Sequence, residues 1–336
     1  MSIGDYAFDS CKNLISMQLP STLSSISGTA FVDDNSLQMI TVATGNQFYS
    51  EIDGVLYTAD KKEIVCYPIG KPGDRYEVLP GTEIVGEDAF RSSRLKSIVL
   101  PDSIIQLGKS AFFSAHNIEA IIIPEKVKEL PDYLFAGGVT SIQLPDSLEI
   151  IGEEAFQNCS FEEITIPNKV NTIKKFAFSG CKNLKKINIP NSVKTIEQYA
   201  FNSCTNLKKV LIPEETETLK YDIFNDCNKV TVYVYSGSIA EQYCIENDLH
   251  YITINDQSFD ISGLMILELP FELKTIEDEA FRGCLAQVII IPYGCTRIGS
   301  KAFANCPNLQ YVFLPKGISI SSDALQGSDS ILIYQK

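Results

Sequence analysis

Ten cysteines are the residues with the most chemistry to offer in this 336-residue chain. Seven fall at one recurring place: Cys11, Cys159, Cys181, Cys204, Cys227, Cys284 and Cys306. Cysteine in such numbers serves metal ligation, cross-linking or nucleophilic catalysis. The spacings from Cys159 to Cys181 and on to Cys204, 22 and 23 residues, do not resemble the C-x2-4-C pairs of structural zinc sites. A disulfide between adjacent rungs of a ladder is allowed, because Cα separations of ~4.4–6.8 Å can be bridged. Other copies of the motif place Asp34, Ser93, Ala115, Gly138 and Ser328 at this position. A position that accepts Ala, Ser and Gly wants a small side chain, and free Cys behaves as a small hydrophobe. Buried packing is the leading reading of the row, and no metal is expected. Cys66, Cys244 and Cys295 stand outside it and are the candidates for a reactive thiol.

The remaining polar chemistry is sparse. The two histidines are His116 and His250. His116 sits beside the small position of its copy, where neighbours have Ser160, Lys182 and Thr205, and reads as a solvated turn residue. His250 follows Cys244 by six residues, a spacing that does not specify the hydrogen bond a Cys–His dyad needs. Carboxylates occur as Glu153-Glu154, Glu162-Glu163 and Glu214-Glu215, which read as solvated faces. The chain contains no G-x-S-x-G, P-loop, G-x-G-x-x-G or H-E-x-x-H. No enzyme and no cofactor are expected.

The elements that position these residues follow a clock. The aromatic of an Ala-Phe pair recurs as Phe8, Phe31, Phe90, Phe112, Phe135, Phe156, Phe178, Phe201, Phe224, Phe281 and Phe303, with Leu325 as a degenerate last copy. Most intervals are 21 to 23 residues, and two are long, 59 before Phe90 and 57 before Phe281. Such a period signals a solenoid. In one copy the apolar positions are Leu184, Ile187, Ile189, Val193, Ile196, Ala200, Phe201 and Cys204, with Pro190 among them. The I-x-I segment alternates as a half-buried strand does. Pro190 ends that strand because it cannot donate to a ladder. The later spacings suit a short turn or 3₁₀ stretch that returns the chain. One unit cannot bury its own apolar face; stacked units can.

The unit resembles the BspA-like leucine-rich repeats, whose mark is LxxIxIPxxVxxIGxxAFxxCxxL. The resemblance implies a repeat solenoid of α/β type, a curved leucine-rich-repeat array with a concave parallel β-sheet and a convex side of 3₁₀ or short turns. It also implies a secreted or cell-surface protein, typically of gut or oral bacteria, that acts in adhesion or protein binding. A passive spacer displaying another domain is the alternative function, and a cysteine-dependent enzyme a remote one.

Two segments interrupt the clock. Residues 43–79 hold three alternating runs around Phe48, Leu56 and Val65, punctuated at Asp53-Gly54 and Ala59–Lys62. They predict an inserted β-meander. Residues 229–256 read as strand, helix, strand, with Ser238 and Glu241 forming an S-x-x-E capping box. This segment is expected to close a first block, residues 1–256, before a second block, residues 257–336.

Binding is expected on the outward strand positions. In the middle copies these are Glu162, Glu163 and Thr165, then Lys185, Lys186 and Asn188, a charge-balanced face. The second block is more apolar there. Met265, Ile266, Val288, Ile290, Tyr311 and Phe313 form its candidate ligand patch. Val99, Ala120 and Ile122 form a weaker apolar row on the first sheet. The net charge of −14 argues against nucleic acid, which recruits Lys and Arg, and against anionic lipid. No run reaches the ~18 apolar residues of a membrane span. The N-terminus shows no basic region followed by an apolar core, and Ile3, Ala7, Phe8 and Cys11 place the first residues inside a repeat. The expected partner is an extracellular host or microbial protein or glycan, bound by a monomer at or outside the cell surface.

Overall fold

A computed structural model of the chain describes residues 1–254, 265–269, 273–291, 295–315, 317–328 and 331–335. The chain divides into two compact units, Met1–Ile252 and Thr253–Lys336.

In the first unit, each repeat gives one strand to each of two parallel ladders. The first ladder holds the I-x-I segments. Glu163–Thr165, Lys186–Asn188, Lys209–Leu211 and Thr231–Tyr235 form its longest run, with Glu163 opposite Lys186 and Ile164 opposite Ile187. Alternation decides the faces: Ile164, Ile187 and Val210 are buried, whereas Glu163, Thr165, Lys186 and Asn188 are exposed. The second ladder consists of two-residue strands, such as Ile150–Ile151, Thr172–Ile173 and Thr195–Ile196, where the return turn was expected. The architecture is thus mostly sheet. Among the described residues, the one α-helix is Ile239–Glu246 and the one 3₁₀ helix is Gly28–Phe31.

The Ala-Phe anchors form the core between the ladders. Successive rings stack from Phe90 through Phe112, Phe135, Phe156, Phe178 and Phe201 to Phe224, with centroids 5.1 to 5.9 Å apart. Each anchor residue is locked to the next copy through its backbone; Phe178 N–H, for example, donates to the Ala200 carbonyl at 2.8 Å.

The first interruption contains a hidden rung. Tyr49–Ile52, Val55–Thr58 and Glu63–Cys66 pair antiparallel in sequence, and Glu63–Cys66 then pairs parallel with Ile84–Val85 of the second ladder. The turn between the first two strands places Asp53 at φ 52° and Gly54 at φ 74°. Left-handed backbone at both central residues is the demand of a two-residue type I′ hairpin. Tyr67 then stacks on Phe90 at 5.5 Å, and its N–H donates to the Ala89 carbonyl at 2.8 Å. The meander therefore extends the ring stack from Phe90 to Tyr67, while Phe8 and Phe31 stack separately at 5.5 Å.

The second ladder is also interrupted between Leu107 and Glu129. Gly108 N–H donates to Val85 O at 2.7 Å, and Gly152 N–H to Leu130 O at 2.9 Å. Pro131 occupies the equivalent place between them and has no N–H to give. Gln106–Leu107 ends one sheet and Glu129–Leu130 begins the next, with no pairing between them.

The helix closes the repeat run of this unit. Ser238 Oγ accepts from Glu241 N–H at 3.2 Å, as a capping box requires, and Glu241 Oε2 accepts from Gly237 N–H at 2.7 Å. The helix's buried Tyr243 ties it to the last rung, the hydroxyl accepting from Ile223 N–H at 2.9 Å.

The second unit repeats the plan on a smaller scale. Ile266–Glu268, Val288–Ile290, Tyr311–Leu314 and Leu332–Gln335 form one parallel sheet, and Thr275–Ile276, Arg297–Ile298 and Ser319–Ile320 the other. Phe281 stacks on Phe303 at 5.4 Å.

Candidate binding face

The cysteine row turns inward. Cys159, Cys181, Cys204 and Cys227 are buried, and each thiol donates to the carbonyl of an earlier anchor: Phe135 at 3.2 Å, Phe156 at 3.1 Å, Phe178 at 3.1 Å and Phe201 at 3.0 Å. Ser328 makes the equivalent bond to Phe303 at 3.1 Å. The position thus rewards a short side chain that also donates, which sequence reading reduced to size alone.

All ten cysteines are free thiols. Burial pushes the thiols of Cys66, Cys159 and Cys244 up to about 12, with nearby Asp34 and Asp88 adding to the effect at Cys66 and Glu241 at Cys244. The thiolate is the nucleophile, so groups held this high are protonated and inert at neutral pH. His250 is exposed while Cys244 is fully buried. The exposed His116 directs Nδ1 to the Gly137 carbonyl, which fixes its ring on a turn. Among the described residues, no group of three or more His, Cys, Asp or Glu side chains is arranged to hold a metal ion.

The outward positions are the remaining place for function. In the second unit, Met265 is 57% exposed, but Val288, Ile290 and Phe313 are buried at 0%, 3% and 2%, and Tyr311 is half-buried. The side chain of Ile266 lies outside the described residues. The exposed apolar face expected there is therefore corrected. Val288, Ile289 and Ile290 are all buried, so this strand is covered on both faces, as in sheets whose strands read as continuous apolar runs.

The first unit presents the other row. Ser97 bridges to Ala120, which sets Val99 beside Ile122 on the same outward face. Val99 is 40% and Ile122 64% exposed, and Ala120, two residues before Ile122 and opposite Ser97, is exposed on the same face. Glu77 pairs with Val99 on one side and Gln143 with Ile122 on the other, and both are exposed. Farther along, Lys185 Nζ meets Glu162 Oε2 at 2.7 Å in an exposed pair that contributes little energy. The result is an apolar strip with a polar rim, set across two two-stranded sheets joined by that bridge.

The BspA type leucine rich repeat region model matches in six copies over residues 1–53, 77–139, 136–252 and 234–334. The chain belongs to this family. Its solved relatives include a leucine-rich repeat protein from Eubacterium ventriosum, at 20% identity and a TM-score of 0.55. That match covers 63% of this chain and 58% of the other, so the chain spans under two thirds of that relative's length. A leucine-rich repeat protein from Bacteroides ovatus matches at 23% identity over 100% of this chain and 87% of its own, with a TM-score of 0.46. A leucine rich cell surface protein from Faecalibacterium prausnitzii matches at 22% identity, covering 100% and 83%, with a TM-score of 0.40. No curated protein matches. As a member of the BspA-type family, the chain is a leucine-rich-repeat solenoid, and among its described residues no helix is long and apolar enough to cross a membrane.

Proposed function

We propose that this BspA-type array is a non-enzymatic binding module of a secreted or cell-surface protein. It engages an extracellular protein or glycan through the sheet face of its first unit. The observation that carries the reading is the exposed strip of Val99, Ala120 and Ile122 between Glu77 and Gln143. Apolar area rimmed by polar groups on an otherwise solvated surface is what interaction sites look like. A preformed sheet needs little ordering to bind, so more of the contact energy appears as affinity.

The experiment is a screen of the purified chain against immobilised extracellular-matrix proteins, mucins and glycans, with a Val99→Glu/Ile122→Glu variant in parallel. Loss of at least tenfold in affinity, with the unfolding midpoint unchanged, is the expected result. A partner that binds both proteins equally would show that this strip is not the site. No partner at micromolar protein would favour a spacer that displays another domain.

A further inference from the structure

A cleft of about 440 Å³ lies where the second ladder is interrupted at Pro131. Ile105, Gln106, Leu107 and Lys109 line one side, and Lys126, Lys128, Glu129, Pro131 and Asp132 the other, with Lys174 at the end. This cleft lies on the ladder of two-residue strands, whereas the Val99–Ile122 strip lies on the I-x-I ladder.

Its charge is opposite to that of the molecule. Four lysines face two carboxylates, in a chain whose net charge is −14. Lys174 bridges both acids: its Nζ lies 3.0 Å from Glu129 Oε1 and 3.9 Å from Asp132 Oδ1. It reaches them across Gly152, where an added Cβ would come within 2.4 Å of Leu130 O. Partial burial would lower the Lys174 pKa, but the Glu129 hydrogen bond and the charges of Glu129, Asp132 and Glu197 more than offset that and raise it. Asp132 Oδ1 also accepts from Glu153 N–H at 2.9 Å. The acids are thereby occupied. Lys128 makes one exposed contact, to Glu149 at 3.4 Å. Lys109 rests over the Tyr133 ring at 5.1 Å, and neither it nor Lys126 has a carboxylate at ion-pair distance among the described residues. With four lysines against two carboxylates, the lining keeps a surplus of two positive charges, and Lys128 is partly offset by Glu149.

We propose that this cleft binds an anionic sugar residue through its carboxylate or sulfate. A volume near the lower end of the ~300–1,000 Å³ range of ligand sites suits one or two sugar rings rather than a peptide chain. The acidic surroundings repel a long polyanion and leave a short one as the ligand that fits. Ile105, 49% exposed, offers an apolar surface for a ring, and Gln106 a polar group for hydroxyls.

The test titrates the full chain with three disaccharides, one sulfated, one bearing a uronic acid and one neutral, and with an acidic hexapeptide. Lys126→Glu/Lys128→Glu reverses the charge. Pro131→Gly restores the missing N–H without changing any charge and allows the ladder to close. Binding of one or both acidic sugars, weakened at least tenfold in each variant and absent for the neutral sugar, is expected. The sulfated and uronic arms tell the two anions apart. The proposal fails if no sugar binds, if the neutral sugar binds equally, if the charge reversal leaves affinity unchanged, or if the hexapeptide binds more tightly than either acidic sugar.

Discussion

Asp34 stands where seven other copies carry cysteine, and it is fully buried. Its Oδ1 accepts from Cys11 N–H at 2.6 Å, while Oδ2 has no partner. Burial raises its pKa, the Cys11 hydrogen bond works against that, and Asp9 and Asp33 raise it further. The folded-state pKa therefore exceeds the unfolded one. Stability linked to Asp34 is fully present below the unfolded pKa and is lost as pH rises through the folded pKa. Asp34→Asn should therefore raise the denaturation midpoint at pH 7. The expected gain is about 1–3 kcal/mol, the usual cost of a buried unsatisfied group. The gain should shrink towards pH 3, and a gain that is the same at both pH values would show that ionisation is not its source. The thiol donors make a second prediction at this scale. Cys204→Ser keeps a donor to Phe178 O and should cost less than Cys204→Ala, which leaves that carbonyl without its side-chain donor. Equal midpoints for the two variants in urea would reduce the position to a matter of size.

At the scale of elements, the ring stack is the feature most sensitive to deletion. Phe178 is fully buried and sandwiched between Phe156 at 5.2 Å and Phe201 at 5.3 Å. Phe178→Ala should cost about 3–5 kcal/mol, measured by chemical denaturation, because the rigid ladders on either side limit collapse into the cavity. A loss under 1 kcal/mol would mean that neighbouring rungs close up readily. The stack was legible in the sequence because it depends on one residue type at one interval, and so were the I-x-I strands. Three features were not. Tyr67 lies 23 residues before Phe90, on the period, but it stands in a Cys-Tyr pair rather than an Ala-Phe pair, so a search for the pair passes over it. The two-residue strands are too short for alternation to show. Pro131 was visible as a residue, but its effect follows from the Gly108 and Gly152 hydrogen bonds that it cannot copy. The burial of Val288, Ile290 and Phe313 belongs with these, because alternation says which way a side chain points and not what covers it.

At the scale of the molecule, each copy contacts its neighbours, so stability spreads along the array rather than residing in one site. The first unit has its own cores, a small one from Leu19 to Cys66 and a long one from Val55 to Cys244. A fragment of residues 1–254 should keep a sheet-rich circular dichroism spectrum and unfold cooperatively, and a fragment without a thermal transition would contradict this. The same cores explain the division of labour in the chain: the repeated Phe and Cys residues build the scaffold and leave the outward positions free of packing duties. Counting reactive thiols tests that division most directly. In native protein, Cys11, which is exposed, and Cys284, which is half-buried, should react quickly with a thiol reagent, and the eight buried cysteines slowly. After denaturation without reductant, all ten should react. A buried row cysteine that labels as fast as Cys11, or fewer than ten thiols in the denatured chain, would contradict the account and return the row to chemistry.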